Sequence, residues 1–164
     1  MPSKDYEDFS FTIYDASPPN GDWTIGWGHK LYEGTTEYNY YYANGITIAE
    51  AEKLYIEDRN KMASTTLDVM IEKYGIILNQ HQYDAMLSFS YQFGEYSWSD
   101  KDSEARETMR DFIKAGDYSE NATKTAFSMY MGSRAANGTI ARLNDTIQMF
   151  LYGDYEREYD YSRP

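Results

Sequence analysis

Between Glu7 and His29 the chain sets a carboxylic acid, an alternating apolar run, a turn and a Gly-x-Gly-His close within 23 positions, EDFSFTIYDASPPNGDWTIGWGH. A glutamate donates a proton near neutral pH only when apolar surroundings raise its pKa. Phe9, Phe11, Trp23 and Trp27 offer such surroundings to Glu7, which makes it a candidate general acid. The two glycines, Gly26 and Gly28, suit close backbone packing. They do not form a phosphate cradle, because the pattern is short and lies in a hairpin rather than before a helix. A single His29 here reads as a hydrogen-bonded supporting residue. His81, the other histidine, sits in a different motif, so no metal site is expected.

These residues need elements to hold them. Phe9, Phe11 and Ile13 alternate with Ser10, Thr12 and Tyr14, the period of a half-buried strand. PPNGD (18–22) is turn chemistry, and WTIGW (23–27) reads as the returning strand. Residues 32–45 read as a tyrosine-rich loop with a third short strand at YNYYY (38–42). At Thr47 the period changes. Thr47 and Glu50 form a capping box, and Ala51, Leu54, Tyr55, Met62 and Ala63 follow at helical spacing, so a long helix runs into the sixties and beyond. Residues 79–94 are apolar nearly all round the wheel, which predicts a buried central helix closed by Gly94. Three amphipathic helices follow: Ala105 to Ile113, Ala122 to Tyr130, and Ile140 to Leu151, the first and last stopped by Gly116 and Gly153. The expected class is α+β, with a small β lobe over about 9–46 and a helical lobe over about 47–155 in a single domain of 1–164. A cleft between hairpin and bundle is the expected place for a ligand.

Composition narrows the function classes. The formal charge is −12, with 41% hydrophobic and 26% charged residues and 18 tyrosines. Acid excess argues against nucleic-acid binding and against adhesion to anionic membranes. The absence of cysteine removes disulfides and thiolate metal sites. No apolar run approaches the roughly 18 residues of a membrane span, and no basic-then-apolar leader is visible at the amino terminus.

Four motifs in order carry a resemblance. TIGWGH (24–29), ITIAEAEKLYIED (46–58), LNQHQYDAMLSFSYQFG (78–94) and ARLNDTIQMFLYGDY (141–155) resemble the hairpin, helix start, core helix and closing helix of the phage-type lysozymes, the T4-like endolysins. The resemblance spans nearly the whole chain. It implies a lysozyme-like fold and a muramidase that hydrolyses the β-1,4 bond between N-acetylmuramic acid and N-acetylglucosamine in peptidoglycan. No cofactor is implied, and the expected partner is the bacterial wall, met by a monomer without membrane insertion. Such an enzyme waits in the host cytoplasm until a holin breaches the membrane.

The family's acid, seven residues before the hairpin tyrosine, maps onto Glu7 before Tyr14, and its water-holding threonine maps onto Thr24. The family's second acid would fall at Ala16, and the loop to Thr24 is two residues longer than the common spacing. Three readings follow for the second group. Asp22 reaches the site from the turn, Asp15 reaches it from the strand, or Thr24 and backbone groups hold the water alone. A fourth route uses Glu7 alone, with the muramic acid 6-hydroxyl attacking internally as in a lytic transglycosylase. A catalytically silent wall-binding module on the same fold is the competing non-enzyme reading. Trp27 and the YNYYY tyrosines are candidate sugar contacts, and His29 is a bracing residue. Relatives have a longer first helix before the acid, and the six residues before Glu7 imply thinner anchoring. Arg142 alone stands where relatives often carry paired arginines. With the acid excess, this implies weaker attraction to an anionic wall and activity less assisted by low salt than in a basic lysozyme.

Overall fold

The computed structural model describes residues 8–94 and 103–164, which divide into two compact units between Lys61 and Met62.

In the N-terminal unit, β1 (Ser10–Asp15), β2 (Trp23–Gly26) and β3 (His29–Lys30) form an antiparallel sheet in the order β1-β2-β3. Tyr14 pairs with Thr24 and Asp15 with Trp23, whereas Ser10 pairs with Gly26. The register therefore shifts within β1, and the expected strict alternation fails there. Phe11 is 59% exposed although its parity with Phe9 and Ile13 predicts burial. The cause is a competing hydrogen bond. The Phe11 carbonyl accepts the Ile46 amide at 2.9 Å, so the strand bends away from its β2 ladder to meet the chain segment ahead of the next helix. Gly45 makes that approach possible, since a Cβ there would lie 2.8 Å from the Phe11 carbonyl oxygen.

The strand expected at YNYYY is instead a helix, α1 (Thr36–Asn44). Thr35 caps it by accepting the Tyr38 amide at 3.1 Å. A strand would set Tyr38, Tyr40 and Tyr42 on one face. The helix buries Tyr38 and Tyr41, three residues apart, against the cluster of Ile25, Leu31, Ile46, Ala51 and Leu54, and leaves Tyr42 75% exposed. Burial of two aromatic side chains overrides tyrosine's preference for strands.

The capping box forms as the sequence predicts: Thr47 donates its amide to Glu50 at 2.8 Å, and the Glu50 amide donates to the Thr47 hydroxyl at 3.2 Å. It opens α2 (Ile48–Met62), which continues through a π turn at Ala63–Leu67 into α3 (Asp68–Tyr74) and stops at left-handed Gly75.

The second unit is helical. A second capping box, between Asn79 and Gln82, starts α4 (Gln80–Phe93), whose residues 85–90 are all buried. α5 (Glu104–Ala115), α6 (Glu120–Ser128) and α7 (Asn137–Tyr152) complete it, and α7 packs along α4. Phe89, Phe127 and Phe150 are fully buried, with ring centroids 5.5 Å apart for Phe89–Phe127 and 5.9 Å for Phe127–Phe150. Each such side chain contributes about 1.5–3 kcal/mol through burial. The α+β architecture matches expectation.

Candidate active site

The hairpin loop between β1 and β2 is organised by a carboxylate. Asp15 Oδ1 accepts the amides of Ser17 and Asp22, both at 3.0 Å, and Oδ2 accepts that of Gly21 at 2.9 Å. Desolvation pushes the Asp15 pKa up, but these three amides outweigh it and hold the carboxyl below its ordinary value. Both oxygens of Asp15 thus serve the turn. Ala16, where the resemblance places the second acid, donates its amide to the Asp22 carbonyl at 2.9 Å.

Asp22 stands on the other arm of the same loop. Its carboxylate meets Lys30 Nζ of β3 at 2.9 Å, and its carbonyl also accepts the Thr24 hydroxyl at 3.0 Å. Thr24 is only 3% exposed, and its hydroxyl is engaged by the Asp22 carbonyl rather than standing free. The structure therefore brings Asp15, Asp22, Thr24 and Lys30 together around one loop. Glu7 lies outside the described residues.

Trp27 and His29 lie at the other end of β2, beyond the loop. Gly26 and Gly28 flank Trp27 with φ of 63° and 83°, conformations that only glycine adopts cheaply. A Cβ on Gly26 would also approach the Ala51 Cβ to 3.2 Å, so the turn packs closely against α2. The Trp27 ring sits 4.6 Å from that of Phe9, which in turn meets Phe11 edge-on at 4.6 Å.

His29 faces away from the loop into a polar brace. Nδ1 lies 2.8 Å from Asp58 of α2 and Nε2 lies 3.2 Å from Glu37 of α1. Burial alone would lower its pKa, yet the hydrogen bond and charge of Asp58, helped by Glu37, raise it above the ordinary histidine value. Both ring nitrogens are thereby engaged in tying β3 to two helices.

Lys30, Glu37 and Asp58 escape the sequence reading. Asp58 had a legible signal: it falls on the stripe of Ala51, Leu54 and Tyr55, so a carboxylate there turns toward the interior and needs a partner. Glu37 had none, because it belongs to a helix that the tyrosine composition disguises.

A small antiparallel hairpin sheet with a helical unit after it is the lysozyme-like α+β arrangement. The phage lysozyme family model matches residues 4–145, and the chain belongs to that family. It is also similar to an endolysin of Bacillus phage B103, at 24% identity over 151 residues, covering 92% of this chain and 51% of that protein. The chain thus spans about half the length of that curated relative.

Proposed function

We propose that the chain is a peptidoglycan-cleaving endolysin that hydrolyses the β-1,4 bond between N-acetylmuramic acid and N-acetylglucosamine. The family match over residues 4–145, which includes Glu7 and the whole hairpin, carries this reading. Glu7 donates the proton to the leaving glycosidic oxygen. Opposite it, a second group stabilises the oxocarbenium-like sugar or directs water to it. Asp22 is the better candidate for that group than Asp15. Asp15 is committed to three backbone amides, whereas Asp22 engages Lys30 through one oxygen, and Thr24 steadies its peptide. Trp27 offers a ring for a sugar face, and His29 braces the strand behind it.

Replacing Glu7 by Gln should slow clearing of purified walls by about 10³-fold, the range expected for loss of a general acid. Equal clearing by both proteins would remove Glu7 from the reaction. Clearing by neither would favour a silent wall-binding module. A second reading rests on Ala16 and on the engagement of Asp15: with no free carboxylate, the muramic acid 6-hydroxyl attacks internally. Mass spectrometry of the released muropeptides separates the two, because anhydromuramic ends are one water lighter than reducing ends. Among the described residues no helix is long and apolar enough to cross a membrane. In this reading the protein waits in the host cytoplasm as a monomer and reaches the wall after a holin opens the membrane.

A further inference from the structure

The stretch after α7, residues 154–164, forms no helix or strand, yet side chains of the helical unit hold it along its length. Tyr155 donates its hydroxyl to Asp84 of α4 at 2.8 Å. The Asn144 amide of α7 donates to the carbonyls of Asp160 and Ser162, both at 2.8 Å. Arg163 donates to the carbonyls of Met131 and Gly132. At the centre lies Asp145 of α7, only 3% exposed. Its Oδ1 accepts the Glu158 amide at 3.0 Å, while its Oδ2 is buried with no hydrogen-bond partner among the described residues.

A buried carboxylate with one oxygen unanswered is stable as the neutral acid and costly as the anion. The charges acting on Asp145 sit on the stretch that covers it. The charges of Glu158 and Asp154 disfavour the anion, while the Glu158 amide and the Arg157 charge favour it without overcoming the burial. On α7 itself Arg142 is buried one turn earlier, on α4 Asp84 is taken by Tyr155, and on α6 Lys124 and Glu120 pair with each other. We propose that residues 154–164 are a proton-gated strap, docked tightly on α7 when Asp145 is neutral and loosened when it ionises.

The sign follows from linkage. Burial lifts the docked Asp145 pKa to about 6 despite the hydrogen bond from the Glu158 amide, whereas an undocked, hydrated aspartate titrates near its ordinary 3.8. The docked state therefore binds more protons between these values, and docking strengthens as pH falls. For a shift of this size the docking constant should rise roughly 50-fold from pH 7.5 to pH 4. Near neutral pH the strap opens more often and uncovers the recess that Asp160 and Ser162 share with Asn144, Ile147, Gln148 and Lys124.

Hydrogen exchange read by mass spectrometry tests this, with strap amides corrected for intrinsic exchange and compared with α4 amides that report global opening. In the wild-type chain, strap protection should rise about 50-fold from pH 7.5 to pH 4, starting near pH 6 and gaining most of its increase below it. In Asp145→Asn it should stay at the acid level throughout. Protection independent of pH in the wild type, or an unchanged dependence in the variant, would overturn the proposal. Should the variant fail to fold, carbon NMR titration of the wild-type Asp145 carboxyl decides: a midpoint near 6 supports the strap, and one near 4 overturns it.

Discussion

The two units are stabilised by different physics. The helical unit is built on area: Phe89, Met86, Met109, Ile113, Phe127, Leu143, Ile147 and Phe150 belong to one buried hydrophobic cluster. The N-terminal unit has a smaller cluster around Ile25, Leu31, Tyr38 and Leu54, and directed polar contacts make up the difference. Asp15 staples the turn, Thr47 and Glu50 cap α2, and His29 ties β3 to Asp58 and Glu37. Burial depends little on pH, whereas charged hydrogen bonds do. The contacts that hold the hairpin unit should therefore respond to protons in the neutral range, whereas in the helical unit, apart from Asp145 under its strap, the core should respond to lost volume.

The largest stability effect should come from the helical core. Phe127→Ala removes a fully buried ring that meets Phe89, Phe112 and Phe150, and should cost about 3–5 kcal/mol in urea unfolding with little change between pH 6 and 8. A strong pH dependence of that loss would break the contrast. Next, His29→Ala should cost about 1–3 kcal/mol at pH 6 by leaving Asp58 without its partner. The folded pKa of His29 lies above the unfolded value of 6.5, so its contribution is complete below 6.5 and fades as pH rises through the folded pKa. The variant and the wild type should thus converge toward alkaline pH, and a constant gap from pH 6 to 9 would show that the brace is not ionic.

Gly26→Ala should cost about 1–2 kcal/mol, because it forces a side chain into φ 63° and toward Ala51. A neutral result in thermal unfolding would mean that the β2–β3 turn can rearrange. Least of all, Lys30→Ala removes a partner that is 64% exposed, and should change stability by less than about 1 kcal/mol, an effect that added salt erases. A larger loss would show that the Asp22–Lys30 pair carries structure and is not merely an exposed partner of a site residue.

Legibility from the sequence followed the same divide. The helices of the second unit could be read because their apolar spacing and their stops at Gly94, Gly116 and Gly153 are local signals that tertiary packing reinforced. The Thr47–Glu50 box was legible for the same reason, since both partners lie within one turn. In the first unit local signals and packing disagreed. Tyrosines favour strands, yet 38–42 became helical because Tyr38 and Tyr41 had a core to fill. Phe11 has the parity of an inward residue, yet it turned outward when its carbonyl went to Ile46.

By itself the sequence determined the family, the helical core, the hairpin turn and the types of residue available for acid–base chemistry. Each of these is written in spacings of a few residues or in motifs that survive as strings. Only the tertiary structure decided that Asp15 spends both oxygens on its own turn, that Asp22 faces Lys30, that His29 sits between Asp58 and Glu37, and that Asp145 is covered by residues 154–164. A carboxylate's role depends on which donors reach it and how much water is left around it. Those donors come from residues 29 positions away for Asp58 and 71 for Asp84, distances over which no local pattern carries information.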